Sequence, residues 1–97
     1  MTKKKQRTQN NIEIGNIFYE YRQQLSLENT SRAYFIADRE NKGLLEENWI
    51  SEKTLTNIEN GYNLPNLITL KLLAVALEVD FIKLVQAIEP YLIKGED

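Results

Sequence analysis

Apolar side chains recur along this chain with helical spacing. Ile14, Ile17, Phe18, Tyr21 and Leu25 stand at i, i+3, i+4, i+7 and i+11, one face of a first helix. The stretch Leu25 to Asn29 ends it, and Ser26 is placed to cap a second helix, with Asn29 three residues on in a capping-box position. That helix takes in Thr30, Ala33, Tyr34 and Ala37, and Lys42-Gly43 is its stop signal. Ser51 is the cap of a third helix, with Glu52 at the positive end of its dipole. Leu55 and Ile58 are its buried pair, and Glu52, Lys53, Thr54, Thr56, Asn57 and Glu59 are its polar positions. Gly61 follows as a left-handed residue, and Leu64 before Pro65 is held extended. Asn66 caps a fourth helix with Leu70, Leu73, Ala74 and Leu77 on one face. Asp80 caps a fifth whose stripe is Phe81, Leu84, Val85 and Ile88; Pro90 breaks or restarts it before a short apolar tail, Tyr91 to Ile93. The pattern predicts an all-α, compact five-helix domain with no strand. Its connections are short except for a lengthened one between helices two and three, near residues 38–50.

Composition removes whole classes of chemistry. A length of 97 residues fits one domain. The chain has no cysteine, which excludes disulfides, thiolate zinc sites and a thiol nucleophile. It has no histidine, which excludes Ser–His and Cys–His dyads and the commonest general base. No Gly-rich phosphate loop, paired-carboxylate motif or nucleophile-plus-base spacing is visible, so neither catalysis, a cofactor nor a metal is expected. The longest apolar run, Leu72 to Leu77, is six residues, against about 20 for a membrane span. Lys3, Lys4 and Lys5 lead into polar Thr8 to Asn11 rather than an apolar segment, so the expectation is a cytoplasmic protein.

Charge adds an asymmetry. The net charge is −2, yet the first 22 residues hold Lys3, Lys4, Lys5, Arg7 and Arg22 against Glu13 and Glu20. That is +3 there and −5 in the remainder. Residues 1–11 read as a flexible basic arm, residues 12–93 as the helical domain and 94–97 as a tail. The arm is either an electrostatic contact for phosphates or a solvated terminus.

The stretch Ile50-Ser51-Glu52-Lys53-Thr54-Leu55-Thr56-Asn57-Ile58-Glu59-Asn60-Gly61 resembles the recognition helix of the phage repressor/Cro-type (XRE-like) helix-turn-helix family. The resemblance continues through Pro65, Leu70 to Ala74 and Ala76-Leu77-Glu78-Val79-Asp80, and takes in the first helix from Ile14 to Arg22. It spans about 70 residues, most strongly in the C-terminal half. Two departures stand out. The third helix begins about a dozen residues later than the family pattern, through either a longer second helix or an inserted loop. The family's phosphate-contacting Gln at the start of helix two falls on Leu27 or Asn29, of which only Asn29 has the chemistry.

The resemblance implies a double-stranded DNA operator as partner and places Glu52, Lys53, Thr54, Thr56 and Asn57 outward in the major groove. Lysine suits guanine O6 and N7, asparagine suits adenine, glutamate accepts from cytosine N4, and threonine methyls suit thymine. Ser51 and Asn60 fall at phosphate positions, joined by Asn29 and by Lys3, Lys4, Lys5 and Arg7 of the arm, while Arg39 and Lys42 offer further phosphate contacts. Glu59 pairs with a helix-one arginine such as Arg22, which otherwise faces a phosphate. Tyr34, Phe35 and Trp49 fill core, with Trp49 sealing the long connection against helix two. The stripe of helix five and the apolar tail exceed what one small core needs, which points to a homodimer. Two functions follow. One is a sequence-specific transcriptional regulator, most simply a repressor. The other is a protein-interaction module on the same fold, an antitoxin or antirepressor-like adaptor with a regulatory protein partner.

Overall fold

The structure, a computed structural model, describes residues 7–92. Helix α1 runs Gln9–Gln23, α2 Arg32–Asn41, α3 Glu52–Glu59, α4 Leu67–Leu77 and α5 Phe81–Ile88, followed by a 3-10 turn over Glu89–Tyr91. No strand occurs among the described residues. Each α-helix opens on a side chain that accepts a backbone N–H of its own first turn: Thr8, Ser31, Ser51, Asn66 and Asp80. Such a cap satisfies one of the four orphan donors at a helix start and contributes about 1 kcal/mol.

Three of these caps, Ser51, Asn66 and Asp80, stand where the sequence puts them, and two starts differ. Helix α1 begins at Gln9 because the Thr8 hydroxyl accepts the Asn11 N–H at 3.0 Å. Residues 9–11 are therefore helical and not part of a flexible arm ending at 11. Helix α2 begins five residues later than a Ser26 cap implies, because the Ser31 hydroxyl accepts the Tyr34 N–H at 3.2 Å. The connection between α2 and α3 is then residues 42–51, shorter than expected but well beyond the three or four residues of a tight turn. Lys3, Lys4, Lys5, Ile93 and the tail 94–97 lie outside the described residues.

The core joins all five helices. Ile14 and Phe18 of α1, Phe35 of α2, Leu55 and Ile58 of α3, Leu70, Leu73, Ala74 and Leu77 of α4, and Leu84 and Ile88 of α5 are buried together with Ile50. Burial of such side chains is worth roughly 1.5–3 kcal/mol each. Phe81, Val85 and Tyr91 also pack against this cluster. The stripe of α5 is thus largely absorbed by its own domain, leaving Ile82 and Leu92 as the exposed apolar residues of that region.

The long connection is a built element. Trp49 packs edge-on against Phe35 at 6.0 Å between ring centroids, and its indole N–H donates to the Ile36 carbonyl at 3.4 Å. The Asn48 N–H donates to a Glu40 carboxylate oxygen at 3.0 Å. Gly43 and Asn48 take left-handed backbone, φ +76° and +62°, which lets the chain reverse twice within a few residues.

Arg39 belongs to this frame and not to a DNA surface. It lies on α2 with its side chain 1% exposed, donating to the Ala76 carbonyl at 2.9 Å and to Glu78 at 2.7 Å. It so satisfies a carbonyl at the end of α4, where Glu78 turns left-handed at φ +59°. A hydrogen bond from Arg39 holds the Asp38 carboxyl below its usual pKa, against the opposing effect of burial. A lowered folded-state pKa means stability present above the unfolded carboxylate value of about 4 and lost as pH falls through the folded one. The stability difference between wild type and Asp38→Asn should therefore be constant above about pH 5 and shrink below pH 4 in urea melts. A difference that does not narrow on acidification would show that Asp38 adds nothing through its charge.

Candidate DNA-reading face

Helix α3 is amphipathic in the simplest way. Leu55 and Ile58 face the core, while Ser51, Glu52, Lys53 and Thr54 are exposed and Thr56 and Asn57 are half-buried. Ser51 caps the helix, its hydroxyl accepting the Thr54 N–H at 3.0 Å and donating to the Thr54 hydroxyl at 2.9 Å. This pins the first turn, so the polar side chains there project from a fixed backbone. At the other end Gly61 closes the helix at φ +85°, and the Asn57 carbonyl accepts the Tyr62 N–H at 2.9 Å.

The angle between α2 and α3 is held by charge instead of a short turn. Glu59, on the last turn of α3, accepts from Arg22 of α1 through two 2.7 Å hydrogen bonds. It also accepts from Arg32, the first residue of α2, at 2.8 Å. Arg22 donates further to the Thr30 carbonyl, just ahead of α2. The expected Glu59–Arg22 pair is therefore present and buried, and it removes Arg22 from phosphate contact. One carboxylate ties three helices, and a bidentate pair fixes direction as well as distance.

Of the site residues named from sequence, Ser51, Glu52, Lys53, Thr54, Thr56 and Asn57 share α3. Asn60 is its C-cap, exposed, with its backbone N–H already bonded to Thr56 and Ile58 carbonyls. Asn29 lies between α1 and α2, where its side-chain oxygen accepts the Ser31 N–H at 2.7 Å, and it is not the first residue of helix two. That place belongs to Arg32, which a helix capped at Ser26 would put inside the helix. Neither Leu27 nor Asn29 occupies it. Arg7 is not free either: its guanidinium donates to the Asn60 carbonyl at 3.2 Å and lies over the Tyr62 ring at 5.2 Å.

The described residues contain no cluster of acidic side chains able to hold a metal ion, and no helix long and apolar enough to cross a membrane. Residues 46–84 match the family model described as helix-turn-helix, a segment that starts in the connection before α3 and ends inside α5. No curated protein and no solved structure matches the chain. The match covers α3 and α4 with the Ser51, Asn66 and Asp80 caps, the left-handed Gly61 and Glu59 itself, and leaves α1 and α2, which carry Arg22 and Arg32, outside it. Over residues 46–84, less than half of its length, the chain is similar to the helix-turn-helix family.

Proposed function

We propose that the protein is a sequence-specific double-stranded DNA-binding transcriptional regulator, most simply a repressor, that lays α3 in the major groove. The observation that carries this reading is the exposed first turn of α3, capped by Ser51 and locked to α1 and α2 through Glu59. Reading base edges requires donors and acceptors on a rigid backbone near a helix N-terminus. Lys53 is an exposed donor suited to guanine, and Asn57, one turn on, offers the amide that suits adenine. Glu52, Thr54 and Thr56 complete the reading set. The hydroxyl of Ser51, the amides of Asn60 and Asn29, and the lysines at 3, 4 and 5 contact phosphates. The protein acts as a homodimer through the region of α5, where Ile82 is 58% and Leu92 52% exposed.

Selection from a random duplex pool at about 100–150 mM salt tests this, since purely ionic binding is weakened there. A palindromic motif is the expected product. On that motif Lys53→Ala and Asn57→Ala should each lose about 1–3 kcal/mol of discrimination at one base position while melting near wild type. A folded protein that enriches no sequence, or variants that keep the wild-type preference, would remove α3 as the reader.

A second reading is favoured by one feature. Leu64, Leu67 and Ile68, around the start of α4, are exposed, the last two at 72% and 73%. An apolar cluster of this kind suits a protein partner, as an antitoxin or antirepressor-like adaptor requires.

A further inference from the structure

The connection between α2 and α3 is longer than a tight turn needs, and holding the surplus in one conformation costs backbone entropy. It is held all the same. Phe35 and the Ile36 carbonyl fix the Trp49 indole, and Glu40 fixes the Asn48 N–H. Asn48 itself keeps a left-handed backbone, φ +62°, that a residue other than glycine seldom takes. What the segment builds is a groove of about 460 Å³. Leu44, Leu45 and Trp49 line it from the connection, and Leu72 closes it from α4.

The chemistry of the groove selects its occupant. Leu45, Trp49 and Leu72 are half-buried, and Leu44 is 40% exposed. Glu46 and Glu47 line the same groove, both exposed, and neither forms an ion pair among the described residues. The one basic residue of the connection, Lys42, pairs with Asp38 instead, at 3.4 Å. Two carboxylates at an apolar groove repel nucleic-acid phosphates and attract a cation that carries apolar surface. The described residues contain no strand, so no sheet edge is on offer to an extended peptide. The remaining mode is a helix laid in a groove, with apolar side chains one turn apart as anchors and long basic side chains reaching the carboxylates at the rim.

We propose that the groove between the α2–α3 connection and α4 is a docking site for a basic amphipathic helix of a partner protein, with Leu44, Leu45, Trp49 and Leu72 taking its apolar face and Glu46 and Glu47 its lysines or arginines. The site shares no residue with the exposed face of α3 or with the Leu64, Leu67 and Ile68 cluster. It stands whether or not α3 reads DNA.

Trp49 is the only tryptophan of the chain, so its emission reports the groove directly. The probe is a synthetic helical peptide of leucine and lysine, with leucines at i, i+3, i+4 and i+7, added to the full chain at about 150 mM salt. The expected result is a saturable blue shift as the Trp49 ring loses water. The same peptide with glutamate in place of lysine should cause none. Leu44→Ser, at an exposed position, should keep the urea midpoint and weaken binding about fivefold, the share of a leucine already more than half covered. Glu46→Gln with Glu47→Gln should weaken it by a similar factor, that of two exposed ion pairs, and the difference should close at about 1 M salt. Glu20→Gln with Glu28→Gln removes the same charge from exposed positions outside the groove and should bind like wild type. An unmoved Trp49 spectrum with the lysine peptide would overturn the proposal, and so would a Leu44→Ser variant that binds like wild type. Equal losses from the two glutamate pairs would overturn it as well, because the peptide would then be drawn to the acidity of the whole chain and not to the groove.

Discussion

Glu59→Ala should destabilise the domain by about 3–5 kcal/mol, the range for removing one partner of a buried ion pair. The side chain of Arg22 is 3% exposed and that of Glu59 1%. Deleting the carboxylate leaves a guanidinium inside the fold with the Thr30 carbonyl and the face of the Tyr19 ring, and no carboxylate, to answer it. Arg32 behaves differently, because its side chain is 27% exposed and can turn to water. Arg32→Ala should therefore cost no more than about 1 kcal/mol, as surface pairs do. Urea unfolding followed by circular dichroism separates the two. At a slope of 1–3 kcal/mol per molar, Glu59→Ala should move the midpoint by about 2 M, and Arg32→Ala by well under 1 M. Comparable shifts from the two variants would mean that the carboxylate is not buried as described. The consequence reaches function, since domains of this size hold only about 5–15 kcal/mol in total. A variant that stays folded in the cold should still lose sequence preference, because α3 would no longer be tied to the first turn of α2.

What could be read beforehand divides along the same line. Ser51, Gly61, Asn66 and Asp80 end or begin helices through contacts within a few residues, and a local rule finds them. The start of α2 is not fixed by such a rule, because Ser26 and Ser31 satisfy it equally. Ser31 prevails where Arg22 meets the Thr30 carbonyl and Arg32 meets Glu59. Those partners are distant in sequence, so no spacing announces them. Arg39 shows the same limit from the other side. An arginine beside a glycine-containing connection suggests a phosphate contact, yet its burial is decided by the Ala76 carbonyl and Glu78, on and just beyond a helix 37 residues away. The candidate reading face was legible for the complementary reason. It is the polar side of one short helix, and its exposed first turn, Ser51 to Thr54, is described by its own pattern. The placement of Arg7 on the end of α3 combines both cases: the charge is plain in the sequence, and its anchorage depends on a turn more than 50 positions away.

Gly15→Ala should lower the melting temperature, although the same exchange in an exposed helix raises stability by about 0.5–1 kcal/mol through helix propensity. Gly15 lies where α1 crosses the last turn of α3. A Cβ built on it would stand 2.5 Å from the Ile58 carbonyl oxygen and nearer still to that of Glu59. Both obstacles are backbone, so no rotamer change relieves them, and α1 must move away from α3. Overpacking of this kind costs about 1–3 kcal/mol, occasionally more, which outweighs the propensity gain. For a domain of this size each kcal/mol is worth about 4–8 °C, so a fall of roughly 5–20 °C is expected by scanning calorimetry. The displacement has a direction. It pushes on the peptide that carries Glu59, and so disturbs the Arg22 and Arg32 bonds that orient α3. The variant should therefore lose affinity for a selected operator more than for random duplex, because only the former depends on the aim of Lys53 and Asn57. A rise in melting temperature would show that the two helices sit further apart than this crossing requires. Equal losses on both duplexes would show that α3 keeps its aim while the fold merely loosens.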